Sequence, residues 1–421
     1  LLYGDKKEVV PSVLKSTSLE YEITSRIYKM AFPGERKIAV ATDVGNLKLS
    51  DDKDPFASLK FLNMGVEPLY GDIVNVDLNS EDVPADVTVL IVPATSGLSD
   101  WQRFRIDQYI MRGGNVFWLM GGEIVNFFNG MASPVSAETL EFYKHYGISV
   151  GLDLVMEPEN FIPIQNRVNL FQIQRIPYPF WVVAVEGNIA QDHLITKDLE
   201  ALFFPWASSM TFVPDSLKGI DVDDKTKAKP EKEKVFTKVL ATSSKDAWLK
   251  TGTIFISPQT VVAELQNTAS RVGVGKKNLA VYLEGKYKSF FLDHKKPDEK
   301  AEFIPESQKK SKIVAVSSPY FLSDSALQMS KLANLNFALA AFDVMHGLED
   351  LVNARKKKIS APVITGELSP TKKNVLTLLN FLLPILFVAG YGIWRFKQRK
   401  ELAKMVYPGL AKPNAEGGNA S

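Results

Sequence analysis

Short apolar runs, set between longer stretches with helical spacing, dominate the first third of the chain. Lys37–Thr42 (KIAVAT), Ile73–Leu78 (IVNVDL), Val87–Val92 (VTVLIV) and Asn115–Met120 (NVFWLM) read as buried strands. Around them the pattern predicts helices at Leu19–Met30, with Leu19, Ile23, Ile27 and Met30 on one face, at Pro55–Met64, after Ser99, and at Ala137–Tyr146 closed by Gly147. Alternating strands and helices imply a mostly parallel sheet covered on both faces. This is a flavodoxin-like α/β plan over residues 1–150.

The stretch Ile106–Met120 (IDQYIMRGGNVFWLM) passes from an amphipathic helix straight into a strand. Ser99 caps that helix, which turns Trp101, Phe104 and Ile110 toward the sheet. Arg103 and Asp107 then form an i,i+4 surface pair worth about 0.3–0.5 kcal/mol. Gly113-Gly114 supply the positive-φ cap that reverses the chain.

From about Gly151 the rhythm shifts to strands (PFWVVAV, KVFTKVLATS, GTIFIS, LAVYLEGKYKSFFL), predicting a strand-rich α+β second domain over 151–352. Two mixed-charge stretches, 221–234 and 294–312, read as solvated loops. KIVAVSS is a further buried strand, leading to a helix through Leu335, Leu339, Phe342 and Met345.

Val375–Trp394 (VLTLLNFLLPILFVAGYGIW) is uncharged and long enough for a bilayer core. Ser369-Pro370 reads as its start, Tyr391 and Trp394 as interfacial aromatics, and Asn380 and Pro384 as a kink or a partner-helix contact. A juxtamembrane linker (353–374) precedes this transmembrane helix and a basic tail (395–421) follows. Both flanks are basic, and the reading favours an extracytoplasmic, periplasmic location for the bulk of the chain at a bacterial inner membrane. Leu1-Leu2-Tyr3 resembles the trailing end of a removed hydrophobic anchor or signal.

Composition removes whole classes of chemistry. Without cysteine there are no disulfides, thiolate metal sites or cysteine nucleophiles. A net charge of +2 offers no general field for nucleic acid. SRVGVGKKN (Ser270–Asn278) lacks the glycine and the hydroxyl of a Walker A loop and reads as a turn with β-hairpin flanks. His145, His193, His294 and His346 show no metal-ligand spacing, and His145 and His346 fall at helix ends. Glu157 and Glu159 in MEPEN read as a solvated bend around Pro158. The strand ending at Met120 runs into Gly121-Gly122-Glu123, so no nucleophile elbow is present. No cofactor, metal or catalytic residue is expected. Ligands of doubly wound sheets gather beyond the carboxyl ends of the strands, which singles out Asp43, Thr95, Ser96, Glu123 and Asp324 as candidate ligand-binding residues.

Several blocks, in order, carry a family resemblance. IDQYIMRGGNVFWL, YEITSRIYKM, YPFWVVAVEGNIAQDHLITKDLEALFFPWASSM, LATSSKDAWL, VYLEGKYKSFF and NLNFALAAFDVMHGLEDLVNARKK closely resemble the gliding-motility-associated auxiliary component of ABC transporters, the GldG family. The resemblance spans nearly the whole chain and includes a C-terminal membrane helix. It implies a non-catalytic, membrane-anchored, extracytoplasmic subunit that works with a separate ABC ATPase and permease, binding substrate or an envelope partner. It also implies a GIFT-type domain with a glutamine-amidotransferase-like sheet, to which residues 313–346 would return. Where that family tends to carry an acidic turn, this chain has Ser317-Ser318-Pro319-Tyr320, with only Asp324 acidic nearby. The alternative is a stand-alone carbohydrate- or peptidoglycan-binding envelope module, with Trp181 and Trp206 stacking on sugars. A hydrolase using Glu123 is a third class.

Overall fold

The computed structural model describes residues 1–7, 23–24, 26–27, 30–31, 36–45, 47–51, 53–126, 129–167, 169, 173–218, 220–222, 231–267, 271–356 and 370–406. Its centre is a nine-stranded sheet. In chain order the strands are β1 (Lys37–Ala41), β2 (Val74–Val76), β3 (Val87–Pro93), β4 (Asn115–Leu119), β5 (Ile148–Val150), β6 (Met210–Phe212), β7 (Phe236–Thr242), β8 (Asn278–Gly285) and β9 (Ser311–Val316). They lie in the order β2-β1-β3-β4-β9-β8-β6-β5, and β7 also pairs with β8. The first five are mutually parallel, and β8, β7, β6 and β5 extend the sheet by antiparallel pairing.

The near-continuous apolar runs have a direct cause, because the parallel strands are buried on both faces. Ile38, Val40, Val89, Ile91, Phe117, Leu119, Val314 and Val316 point to one layer, where they join residues of the helices α1 (Lys60–Tyr70) and α6 (Ala333–Met345). Ala39, Ala41, Leu90, Val92, Val116, Trp118, Ile313 and Ala315 point to the other, against α2 (Asp100–Met111) and α3 (Ala137–His145). A third core holds Tyr178, Phe180, Trp181, Phe203, Trp206 and Trp248. Its ribbons are antiparallel pairs: Asp153–Met156 with Trp248–Thr251, and Trp181–Val185 with Ala201–Pro205.

Several expectations change. The helix predicted at Pro55–Met64 runs instead over Lys60–Tyr70. Asp51 and Asp54 accept backbone N–H bonds from Lys53, Asp54 and Phe56, which holds the preceding residues in a turn. Leu59 has no side chain to cap the helix. Asp324, at the start of α5 (Asp324–Met329), supplies that function by accepting from Phe61 N at 2.7 Å. The reading of Arg103 and Asp107 as a surface pair is incorrect. Arg103 turns to Asp100 and to Leu98 O, while Asp107 is fully buried and bonds to other elements. The MEPEN bend is not solvated at Glu157, which is buried and accepts from Ser244 N at 2.8 Å. SRVGVGKKN does not sit in a hairpin: it links helix α4 (Pro258–Gln266) to β8, and Ser270 lies outside the described residues.

Most of the predicted Leu19–Met30 helix, and residues 223–230 of the first charged loop, also lie outside the described residues. The ends of that loop pair as a short ribbon, Ile220–Val222 with Glu231–Glu233. In the second charged loop, Phe303 and Ile304 pack onto the core and His294 stacks on Phe290 at 3.8 Å.

Residues Leu1–Lys358, which include helix α7 (Glu349–Lys356), form one compact unit, and Ile359–Ser421 a second. Among its described residues the second unit holds one long helix, α8 (Pro370–Val406), which continues well past Trp394. Its Leu378–Leu402 stretch is long and apolar enough to cross a membrane. Tyr391 and Trp394 lie with ring centroids 5.8 Å apart.

Candidate functional site

The strand order places the reversal of winding between β1 and β3. The loops beyond their carboxyl ends carry Asp43, Thr95 and Ser96. Asp43 Oδ2 accepts from Asn79 N (3.0 Å), Asn79 Nδ2 (2.9 Å) and Gln102 Nε2 (2.9 Å), so it ties the β1 loop to the start of α2. Gly45, at φ +102°, lies against Thr95 so closely that a Cβ there would sit 1.7 Å from Thr95 Oγ1. Thr95 is therefore sealed beneath the β1 loop, 2% exposed. Ser96 is half-buried, its hydroxyl donating to Gly97 O at 3.3 Å. Asp324 Oδ2 accepts from Ser58 Oγ at 2.5 Å, in addition to capping α1. Each of the two aspartates has a structural task.

Glu123 is different. It follows β4 and opens the short strand Glu123–Asn126, and it is 4% exposed. Its Oε2 is buried with no hydrogen-bond partner. Four loops meet around it, and glycine is required where they touch. A Cβ on Gly122 would lie 1.8 Å from Gly151 O, and one on Gly121 2.6 Å from Pro319 Cγ. Gly122 N donates to Ser208 Oγ at 2.9 Å, and Ser208 N donates to Ser317 O at 3.0 Å, which joins the end of β4 to the end of β9. Ser317 Oγ is also buried with no partner. Asp153, 5% exposed, accepts from Ser209 N and Ser209 Oγ, both at 2.7 Å.

Burial pushes the Glu123 carboxyl up to about 7, and the Asp153 carboxylate adds to the rise. Burial also raises Asp153, against the lowering effect of its Ser209 bonds and of Lys277. The corner is thus an oxygen-rich, buried site whose unsatisfied Glu123 carboxyl would welcome a hydrogen-bond donor or a cationic group. Its hydroxyls other than Ser317 Oγ are engaged in bonds that hold the fold, Ser209 Oγ to Asp153 among them. Ser208 Oγ is an acceptor, Ser318 Oγ donates to Pro205 O at 2.5 Å, and His145, His294 and His346 bond elsewhere. Among the described residues, no group of three or more His, Asp or Glu side chains could hold a metal.

Of the five residues expected from sequence, the structure brings Asp43, Thr95 and Ser96 near one another and leaves Glu123 and Asp324 in separate surroundings. Sequence reasoning missed Asp153, Ser208 and Ser209. The available signal was glycine: Gly121, Gly122 and Gly151 mark the close approaches that assemble the corner. Gly122→Ala is expected to cost about 3 kcal/mol by forcing the two loops apart. Gly187→Ala, with open space around it, should change stability little. Thermal unfolding of the two variants side by side checks the difference.

The chain is 21% identical over 413 residues to an uncharacterized protein of Borreliella burgdorferi (strain ATCC 35210 / DSM 4680 / CIP 102532 / B31), covering 95% of this chain and 73% of that one. Among solved structures, it is similar to a ThuA-like protein from Bacteroides uniformis ATCC 8492 (14% identity, 74% of this chain and 91% of that chain, TM-score 0.36). It is also similar to a β-galactosidase from the Antarctic haloarchaeon Halorubrum lacusprofundi (13% identity, 60% and 34%, TM-score 0.25). Residues 35–343 match the family model described as an ABC-type uncharacterized transport system, a span that holds the whole central sheet. The chain belongs to that family of ABC-type transport system auxiliary components.

Proposed function

We propose that this chain is a non-catalytic auxiliary subunit that is anchored in the membrane by α8, holds Leu1–Lys358 outside the cytoplasm and binds a substrate or envelope partner for a separate permease and ATPase. The family supports the transport role. The observation that carries the binding role is Glu123, a buried carboxyl whose Oε2 has no hydrogen-bond partner, whereas the buried acids Asp107, Asp153, Glu157, Asp324 and Asp343 each accept from at least one named donor. Gliding motility, implied by the resemblance in sequence, is one system such a subunit would serve. Trp181 and Trp206 are buried in the third core, at 7% and 4% exposure, which removes the aromatic platform on which the stand-alone glycan-binding reading relied.

The test is purification of the full chain from its native membrane in mild detergent. An ABC ATPase and a multi-helix permease are expected to co-purify with it. Recovery of the chain without either, under conditions that keep other ABC complexes intact, would sink the transporter reading.

A further inference from the structure

Away from the Glu123 corner, one surface element has no evident task in the fold. Ile164–Arg167 and Ile173–Ile176 form an antiparallel ribbon that pairs only with itself. Gln165, Asn166, Arg167, Ile173, Gln174 and Arg175 are exposed, and Ile164 and Ile176 are half-buried. A two-stranded ribbon exposed in this way is marginal on its own. The register sets Gln165 opposite Arg175 and Arg167 opposite Ile173. Side chains alternate along a strand and face the same way across a pair, so Arg167, Arg175 and Ile173 share one face. Ile173 is 59% exposed. Among the described residues, neither guanidinium has a hydrogen-bond or ion-pair partner. No acidic residue occurs between Glu159 and Glu186, so nothing nearby in sequence neutralises the pair.

We propose that this face is a membrane-docking arm that engages the anionic lipid surface of the bilayer holding α8. Two unpaired arginines beside an exposed isoleucine match a lipid interface, where phosphates take the charge and the headgroup boundary takes the apolar side chain. A basic residue near an anionic bilayer gains about five-fold in binding, so two gain roughly 25-fold. That is too little to recruit a free protein. It is enough for a chain already tethered to the surface, because the anchor makes the second contact intramolecular. This tether favours lipid over an acidic protein, which would have to be met from solution. The proposal rests on the anchoring by α8 proposed above, and its test separates the two.

The cysteine-free sequence allows single labelling sites in the full chain. Ile173→Cys and, separately, Leu386→Cys would carry an environment-sensitive fluorophore and be reconstituted into vesicles of phosphatidylcholine with or without phosphatidylglycerol. Leu386, in α8, should be quenched by nitroxide-labelled lipid in both vesicle types. Ile173 should be blue-shifted and quenched only with phosphatidylglycerol, less so at high salt, and not at all in an Arg167→Glu/Arg175→Glu background. Quenching at Leu386 without quenching at Ile173 overturns the arm, as does quenching at Ile173 that ignores lipid charge or survives the double substitution. Absence of quenching at Leu386 overturns the anchoring, and the arm with it.

Discussion

Replacing Asp107 with alanine is expected to destabilise the protein by about 4 kcal/mol, which places it among the severe single substitutions. Asp107 is fully buried, and its carboxylate accepts four hydrogen bonds. They come from Tyr146 Oη (2.6 Å), Ser289 Oγ (2.7 Å), Phe290 N (2.7 Å) and Gln108 Nε2 (2.8 Å). These donors lie on α2, on the C-terminal cap of α3 and on the segment that follows β8, so one side chain fastens three pieces of the molecule. Hydrogen bonds to a charged group contribute about 1.5–3 kcal/mol each, and removing the acceptor leaves a buried backbone N–H and two hydroxyls unpaired. Asp107→Asn should recover little, because its amide nitrogen would face other donors. Ser289→Ala, which removes one donor and leaves the rest, should cost about 1 kcal/mol. Urea unfolding of the three variants in detergent gives the comparison. A loss below about 1 kcal/mol for Asp107→Ala would show that the carboxylate does not organise this junction.

The misreading of Asp107 in sequence has the same physical origin. Residues four apart on a helix face one another, and an Arg–Asp pair at that spacing is ordinarily a solvent-exposed pair. Nothing within α2 announces that the segment around Ser289 and Phe290, far along the chain, covers that face. The core strands were legible because burial on both faces writes a local signature, an unbroken apolar run. Helix α1 was misplaced because its N-terminal cap is Asp324, which no local motif contains. The Gly113-Gly114 joint was legible as geometry: Gly113 has φ +90°, and a Cβ on Gly114 would meet the Tyr109 ring at 2.3 Å. Glu123 was visible as a residue beyond a strand end. Its isolation from donors was not, because that depends on Asp153, Ser208 and Ser317, brought together by three other loops.

The second large effect runs in the opposite direction, and it tests that isolation. The Glu123 carboxyl is pushed from its ordinary 4.5 up to about 7, by burial first and by the Asp153 charge second. Between about pH 4.5 and pH 7 the unfolded chain has released this proton while the native state still holds it. Stability therefore falls as pH rises through that window, by about 1.4 kcal/mol per pH unit, and levels off above it. The native protein at pH 8 carries a penalty of about 3 kcal/mol that is absent at pH 4. Glu123→Gln keeps the shape and removes the titration. It should match the wild type near pH 4, exceed it by about 2–3 kcal/mol at pH 8, and flatten the slope between. Asp153→Asn, which removes the second cause and keeps the first, should shift the window to lower pH without abolishing it. Unfolding measured across this range decides the matter, and an unchanged slope in Glu123→Gln would mean that Glu123 ionises freely in the native state. A carboxyl that weakens the resting fold, and that a neutral isostere would relieve, is the kind of residue retained for what it binds. The same Glu123→Gln protein should then be more stable at pH 8 and a poorer subunit, with weaker co-purification of its transporter partners. Gains in both stability and assembly would remove Glu123 from the proposed binding site.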